Sequence, residues 1–344
     1  MRLISYLWLA GLLTAPWGAT QEPEPVSQEP QPPPADQEPV TSQETRQAPA
    51  EPQRVIGQAG SPQEATAFNA MVAETDQDLK ISKATEFLET FPNSGLASLV
   101  HSELAEIYRQ RTDIDNFLKH GEEALRGAPD LVNLLAIMSF YYAERKQPFK
   151  AAESATKALA MLGILERPTR LTPSEWATQR FFLSGESHYA LGRVQLGQSQ
   201  RSNSTGPEDL TLQEAVKHFQ HTLEANPIHE FASYRLAETY ERQGDIENSV
   251  KLYSRTAALG GTIGTHAQLR LDEIYKEQPE LTPRPEVLAE QKQAIEKAQE
   301  ERQQLLAQME AESTPVEISL PSTPPLSQPP QDEPGGKSGA NPLI

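Results

Sequence analysis

From Ser61 to Leu281 the apolar residues return every three or four positions and nowhere alternate with polar ones, a spacing that predicts helices and no strands. Two starts are explicit. Ser61-Pro62-Gln63-Glu64 and Thr172-Pro173-Ser174-Glu175 each offer a hydroxyl N-cap, a proline for the first helical position and a glutamate to close a capping box. Stops recur at Pro92, Pro129, Gly163, Pro227 and Gly261, separated by 37, 34, 64 and 34 residues. A spacing near 34 residues marks a two-helix repeat. The wide interval predicts one unit stretched by a loop from Arg193 to Leu212. Beyond Gly261 a helix from Thr265 to Glu277 is expected. Thr282-Pro283-Arg284-Pro285 then opens a long polar helix from Glu286 to about Glu312. Its seam (Leu288, Ile295, Ala298, Leu305, Met309) is broken by Gln291 and Arg302, as suits a solenoid cap with a polar outer face.

Within the repeats a finer pattern appears. Leu236-Ala237, Tyr240, Gly244-Asp245 and Tyr253 follow one another after Asn226-Pro227. Leu104-Ala105, Tyr108, Ala124-Leu125 and Pro129 repeat the order, and so do Leu135, Met138-Ser139, Tyr142, Ala151, Ala155 and Ala158-Leu159. On these residues the chain resembles tetratricopeptide-repeat (TPR) proteins over about two thirds of its length. The resemblance implies an all-α fold: a TPR-like right-handed α-solenoid of about five helix-turn-helix repeats over residues 61–281, a C-terminal capping helix over 282–313, and Tyr108, Tyr142, Tyr189 and Tyr240 in equivalent places. It also implies a concave groove lined by first-helix residues: Glu106, Arg109, Phe140, Phe182, Glu186, Tyr189, Tyr234, Glu238 and Arg242. Aromatic and acidic side chains together suit a protein or peptide ligand of basic character.

The two ends have a different composition. Of 29 prolines, ten fall between Gln21 and Pro62 and eight between Thr314 and Ile344, so residues 21–60 and 314–344 read as disordered Pro-rich tails. Residues 1–20 read as a secretory signal peptide: Arg2, the apolar run Leu3 to Leu13, then small residues around Gly18-Ala19-Thr20. Left uncleaved, the same run would serve as an N-terminal anchor; once removed, no integral membrane span is expected. No cysteine occurs, which fits a bacterial periplasm or cell envelope better than a eukaryotic secretory route. A net charge of -18 argues against nucleic acid as a partner.

Chemistry is hard to place on this chain. There is no thiol nucleophile, no G-x-S-x-G and no G-x-x-x-x-G-K-[ST]. Gly260-Gly261 reads as a turn. His218 and His221 share a helix face, but no carboxylate at matching spacing completes a metal set, so neither a metal nor a cofactor is expected. The expected function is a non-catalytic scaffold or adaptor that binds a peptide or partner helix. Two other readings stay open: an envelope-assembly or wall-synthesis factor that oligomerises through the C-terminal helix, and an enzyme, which would need a deep polar pocket.

Overall fold

The computed structural model describes residues 57–203 and 205–313. Every regular element among them is helical: α1 (Pro62–Val72), α2 (Gln77–Thr90), α3 (Ala97–Gln110), α4 (Ile114–Gly127), α5 (Val132–Glu144), α6 (Pro148–Ile164), α7 (Pro173–Ser202), α8 (Leu210–Ala225), α9 (Glu230–Gln243), α10 (Ile246–Leu259), α11 (Gly261–Glu277) and α12 (Arg284–Ser313). The first ten pair in order into five hairpins, each stacked on the next, and α11 packs on α10. This is an α-solenoid of TPR-like hairpins. The signal peptide, nearly all of the N-terminal Pro-rich segment and the Pro-rich C-terminal tail lie outside the described residues.

Three hairpins turn identically, for local reasons. The backbone N–H groups of Asp113, Gln147 and Asp245 donate to the carbonyls of Tyr108, Tyr142 and Tyr240, each at 2.9 Å. Just before each donor, Thr112, Lys146 and Gly244 take φ values of 57°, 56° and 83°, the left-handed conformation that ends a helix. Asp113 and Asp245 then cap the next helix, accepting from the N–H groups of Asn116 and Asn248 at 3.1 Å. Three residues before each tyrosine, the small residues Ala105, Ser139 and Ala237 are wholly buried. These three tyrosines do occupy equivalent places.

Helix α7 breaks the pattern and corrects two expectations. The segment read as a loop from Arg193 to Leu212 is helical as far as Ser202, leaving only residues 203–209 between α7 and α8. No residue from Arg193 to Ser202 favours the left-handed turn except Gly197, so the helix runs on until Asn203, which adopts φ 53° and stops it. The close approach to α8 is made at Gly192, where a Cβ would fall 2.7 Å from the Phe219 ring. Tyr189 therefore precedes the small residue by three instead of following it, and Gln195 stands where the other hairpins place tyrosine. Tyr189 is not equivalent to Tyr108, Tyr142 and Tyr240.

Helix α12 does more than cap the end. Its first half lies on α10, with Val287 buried beside Val250, Tyr253, Leu271 and Ile274. Its second half runs antiparallel to the start of α7: Arg302 sits over the Phe181 ring at 4.8 Å, and Glu310 accepts from the Ser174 hydroxyl at 2.7 Å and its backbone N–H at 3.2 Å. The packed edge runs through Val287, Gln291 and Ile295. Gln291 and Arg302, read as interruptions of the seam, are part of it, while Leu305 faces out at 42% exposure. Ridge-to-ridge contact along a 30-residue helix favours one edge, and the longer polar side chains reach their partners along it.

The core follows the hairpins. Phe68, Met71, Phe87 and Leu104 join α1 to α3; Phe117, Met138 and Tyr142 join α4 to α5; Tyr189, Leu196, Phe219 and Leu236 join α7 through α9. Each such side chain contributes about 1.5–3 kcal/mol by leaving water, and each does so against a sequence neighbour, as a solenoid requires.

Candidate protein-binding face

The first helices of the hairpins, α3, α5, α7 and α9, share a face turned away from their partner helices, and residues from three of them meet at its centre. Phe140 of α5 packs against Tyr189 of α7 at 5.1 Å between ring centroids and edge-on against Phe231 of α9 at 5.6 Å. His229, the N-cap of α9, stacks on Tyr189 at 5.0 Å. Tyr141 stands edge-on to both Phe140 and Phe117.

Beside these rings lies a charged knot. Glu144, four residues after Phe140, accepts from the Tyr189 hydroxyl at 2.6 Å and from Arg193 Nε at 2.8 Å, with Arg235 Nη2 at 3.8 Å. Its side chain is only 7% exposed. Burial alone would raise the Glu144 pKa, but Arg193 and Arg235 outweigh it and hold the carboxylate below its ordinary range. The Tyr189 hydroxyl is pushed well up by burial and by the neighbouring carboxylate.

The nine residues expected in the groove fall into groups. Phe140, Glu186 and Tyr189 gather at the centre, Glu186 lying 3.6 Å from His229. Tyr189 is wholly buried and offers a ligand nothing, and Phe182 is partly buried against Leu183 and Leu125. Both spend contact area on the packing of α7 against its neighbours. Glu106 and Arg109 pair with each other at 2.8 Å. Tyr234 is half-buried, edge-on to Tyr253 at 5.2 Å and beneath the Arg235 guanidinium at 5.4 Å. Glu238 is held by Arg235 at 2.9 Å and Gln200 at 2.9 Å, and Arg242 donates to the Ser199 carbonyl at 3.4 Å. Glu106 and Glu238 are thus already matched by arginines of the same chain, which weakens the case for a basic ligand there, while Glu186 faces only the His229 imidazole.

Tyr141, Glu144, Arg193, His229, Phe231 and Arg235 escaped the sequence reading. One signal was available: Glu144 follows Phe140 by four residues and Arg193 follows Tyr189 by four, the spacing of one helix face. The clefts are open. One of roughly 420 Å³ lies between α5 and α7, lined by Ala143, Lys146, Pro148, Arg193, Val194 and Arg201. Among the described residues no group of three histidines or carboxylates is placed to hold a metal, and no helix is long and apolar enough to cross a membrane.

No family model matches the chain, and no curated protein matches it. Among solved structures it is similar to "Crystal structure of MamA protein", with 18% identity, a TM-score of 0.35, and coverage of 67% of this chain and 100% of that one. It is also similar to "Crystal structure of PilW, widely conserved type IV pilus biogenesis factor", with 16% identity, a TM-score of 0.37, and coverage of 66% and 96%. A third is "Crystal Structure of the Yeast Tom70", with 16% identity and a TM-score of 0.37, where the alignment spans 67% of this chain and 42% of that one. Likeness at this level carries no argument about partner or activity.

Proposed function

We propose that this chain is a non-catalytic scaffold that binds a polypeptide segment across its first-helix face. The carrying observation is the aromatic centre of that face, with Phe140, Phe231 and Tyr234 each partly exposed and each locked by neighbouring rings or a guanidinium. Rigid rings on a broad, open surface supply contact area at little entropic cost. The shifted titratable groups nearby do structural work in pairs, and the cleft beside Arg193 lies open to solvent, which favours binding over catalysis. The bacterial periplasm or envelope is the proposed location, supported by the N-terminal apolar run and the absence of cysteine. Oligomerisation through α12 is less well supported, because α10 and α7 already cover its packed edge.

A photo-crosslinking residue at Tyr234 or Phe231, introduced in cells, should trap a discrete polypeptide that the same residue at Lys157, on the exposed side of α6, does not. Equal products from both faces, or none from position 231 or 234, would defeat the reading.

A further inference from the structure

The cleft between α5 and α7 is a basic place on an acidic molecule. It exists because α7 runs on past Gly192: Arg193, Gly197 and Arg201 form one wall, and Lys146 and Pro148, from the turn between α5 and α6, form the other. Among the described residues no carboxylate lines it. Arg193 is paired with Glu144, but Lys146 and Arg201 both stand exposed, and an Arg201 guanidinium nitrogen folds back to 3.5 Å from the place a Cβ on Gly197 would take. Arg145 and Lys150, on either side of Lys146 in the chain, are occupied by Asp115 and Glu122. Phe149, next to Pro148, is 90% exposed. Two cations therefore stand beside an exposed ring on a chain whose net charge is -18.

We propose that this cleft holds the chain's own acidic proline-rich segment, residues 21–44. That stretch carries six acids (Glu22, Glu24, Glu29, Asp36, Glu38 and Glu44) and no Lys or Arg, and it sets Glu directly before Pro at Pro23, Pro25, Pro30 and Pro39. The carboxylates match Lys146 and Arg201. The pyrrolidine rings match Phe149, since proline-rich segments are held by contact with aromatic side chains. The tether is long enough. Gly57 is fixed beside the start of α3 by its N–H, which donates to the Gly95 carbonyl at 2.8 Å, and Glu44 lies 13 positions before it, about 40 Å of extended chain. Neighbouring helices pack about 8–10 Å apart, which puts the third and fourth hairpins within reach of the first. The segment's two basic residues, Arg46 and Arg54, fall in the spanning stretch and not in the docked one. Because segment and cleft belong to one chain, their effective concentration is of order millimolar, and a contact too weak to form between molecules is populated within one. The docked segment lies against Arg193 at the margin of the ring face, and the partner bound on that face is a separate claim with its own crosslinking test.

The chain has no cysteine, so Ser27→Cys provides a single site for a nitroxide label. In the full 15N-labelled chain at low salt the label should broaden the amide signals of Ala143, Val194 and Gly197 and spare that of Lys157. The broadening should be lost in a Lys146→Glu, Arg201→Glu double variant and, without any further substitution, at about 0.5 M salt. Far-UV circular dichroism checks the fold of the double variant, and the salt arm stands whether or not that variant folds. No broadening at the cleft at low salt overturns the proposal. So does broadening as strong at Lys157 as at Gly197, or broadening that survives the charge reversal or the salt. A mixture of spin-labelled chain without 15N and 15N-labelled chain without nitroxide should show no effect at the cleft; broadening there as strong as in the doubly labelled chain puts a second copy's segment in place of the chain's own and overturns the proposal too.

Discussion

Glu144 is the residue on which the first-helix face turns. It ties α5 to α7 through Tyr189 and Arg193 and lies within reach of Arg235 on α9. Removing one member of such a buried group strands the others, whereas the pair as a whole is worth far less. Glu144→Ala should therefore destabilise the chain by about 2–4 kcal/mol, towards the lower end of the range for buried pairs because the two arginines can still reach water. Urea unfolding checks this, and Glu144→Gln, which keeps a partner for the Tyr189 hydroxyl, should cost less. The histidines set a second residue-scale expectation. Burial, with the neighbouring histidines adding to it, pulls both His120 and His188 down to about 4 from an ordinary value of 6.5. The unfolded chain thus takes up protons that the folded chain refuses. Stability is complete above pH 6.5, falls progressively as the pH drops toward 4, and loses nothing further from these groups below that. Melting temperatures of His120→Gln and His188→Gln across this window should vary less with pH than those of wild type. None of these partnerships was legible in the sequence, because Glu144 and Arg193, or His188 and His218, are dozens of residues apart and meet only once two helices have been laid side by side.

Among elements, α3, α5 and α9 were readable and α7 was not, and the difference is local chemistry. Where the small residue, the tyrosine and the turn follow at fixed intervals, as in Ala237, Tyr240 and Gly244-Asp245, a few neighbouring residues settle the register. In α7 two overlapping registers compete, one through Tyr189 and one through Gly192, and only the packing against Phe219 decides between them. The helix then ends on Asn203 at φ 53°. Asn203→Ala should cost about 1 kcal/mol for forcing a Cβ-bearing residue without a compensating side chain into the left-handed region, while Asn203→Gly should be neutral or stabilising. Chemical denaturation of the two variants separates them. Helix α12 was legible as a long polar helix, but not its destination, since nothing near Arg302 or Glu310 in the sequence points to Phe181 or Ser174.

At the scale of the molecule the hairpins lean mainly on their neighbours, so cooperativity should be uneven. Among the described residues the first hairpin, α1 and α2, has a neighbouring hairpin on one side only and reaches it through a small apolar cluster around Phe68, Met71, Phe87 and Leu104 and through partly exposed polar pairs such as Lys80–Glu103 and Asp78–Arg111. Hairpins from α7 onward are bound twice, by stacking and by α12. Native-state hydrogen exchange should therefore open α1 and α2 first, and α7 through α12 last and as one unit. Glu310→Ala should raise exchange in the last turns of α12 and the first turn of α7 together, leaving α3 to α6 unchanged; separate responses at the two ends would refute the link.

The return of α12 to α7 also decides how the molecule carries load. A pull exerted on the chain beyond Ser313 does not peel off the terminal hairpin, because the force passes along the axis of α12 into the first turns of α7. A linear stack of hairpins yields one at a time, whereas this one presents its middle as the anchor point to whatever the C-terminus is fastened to.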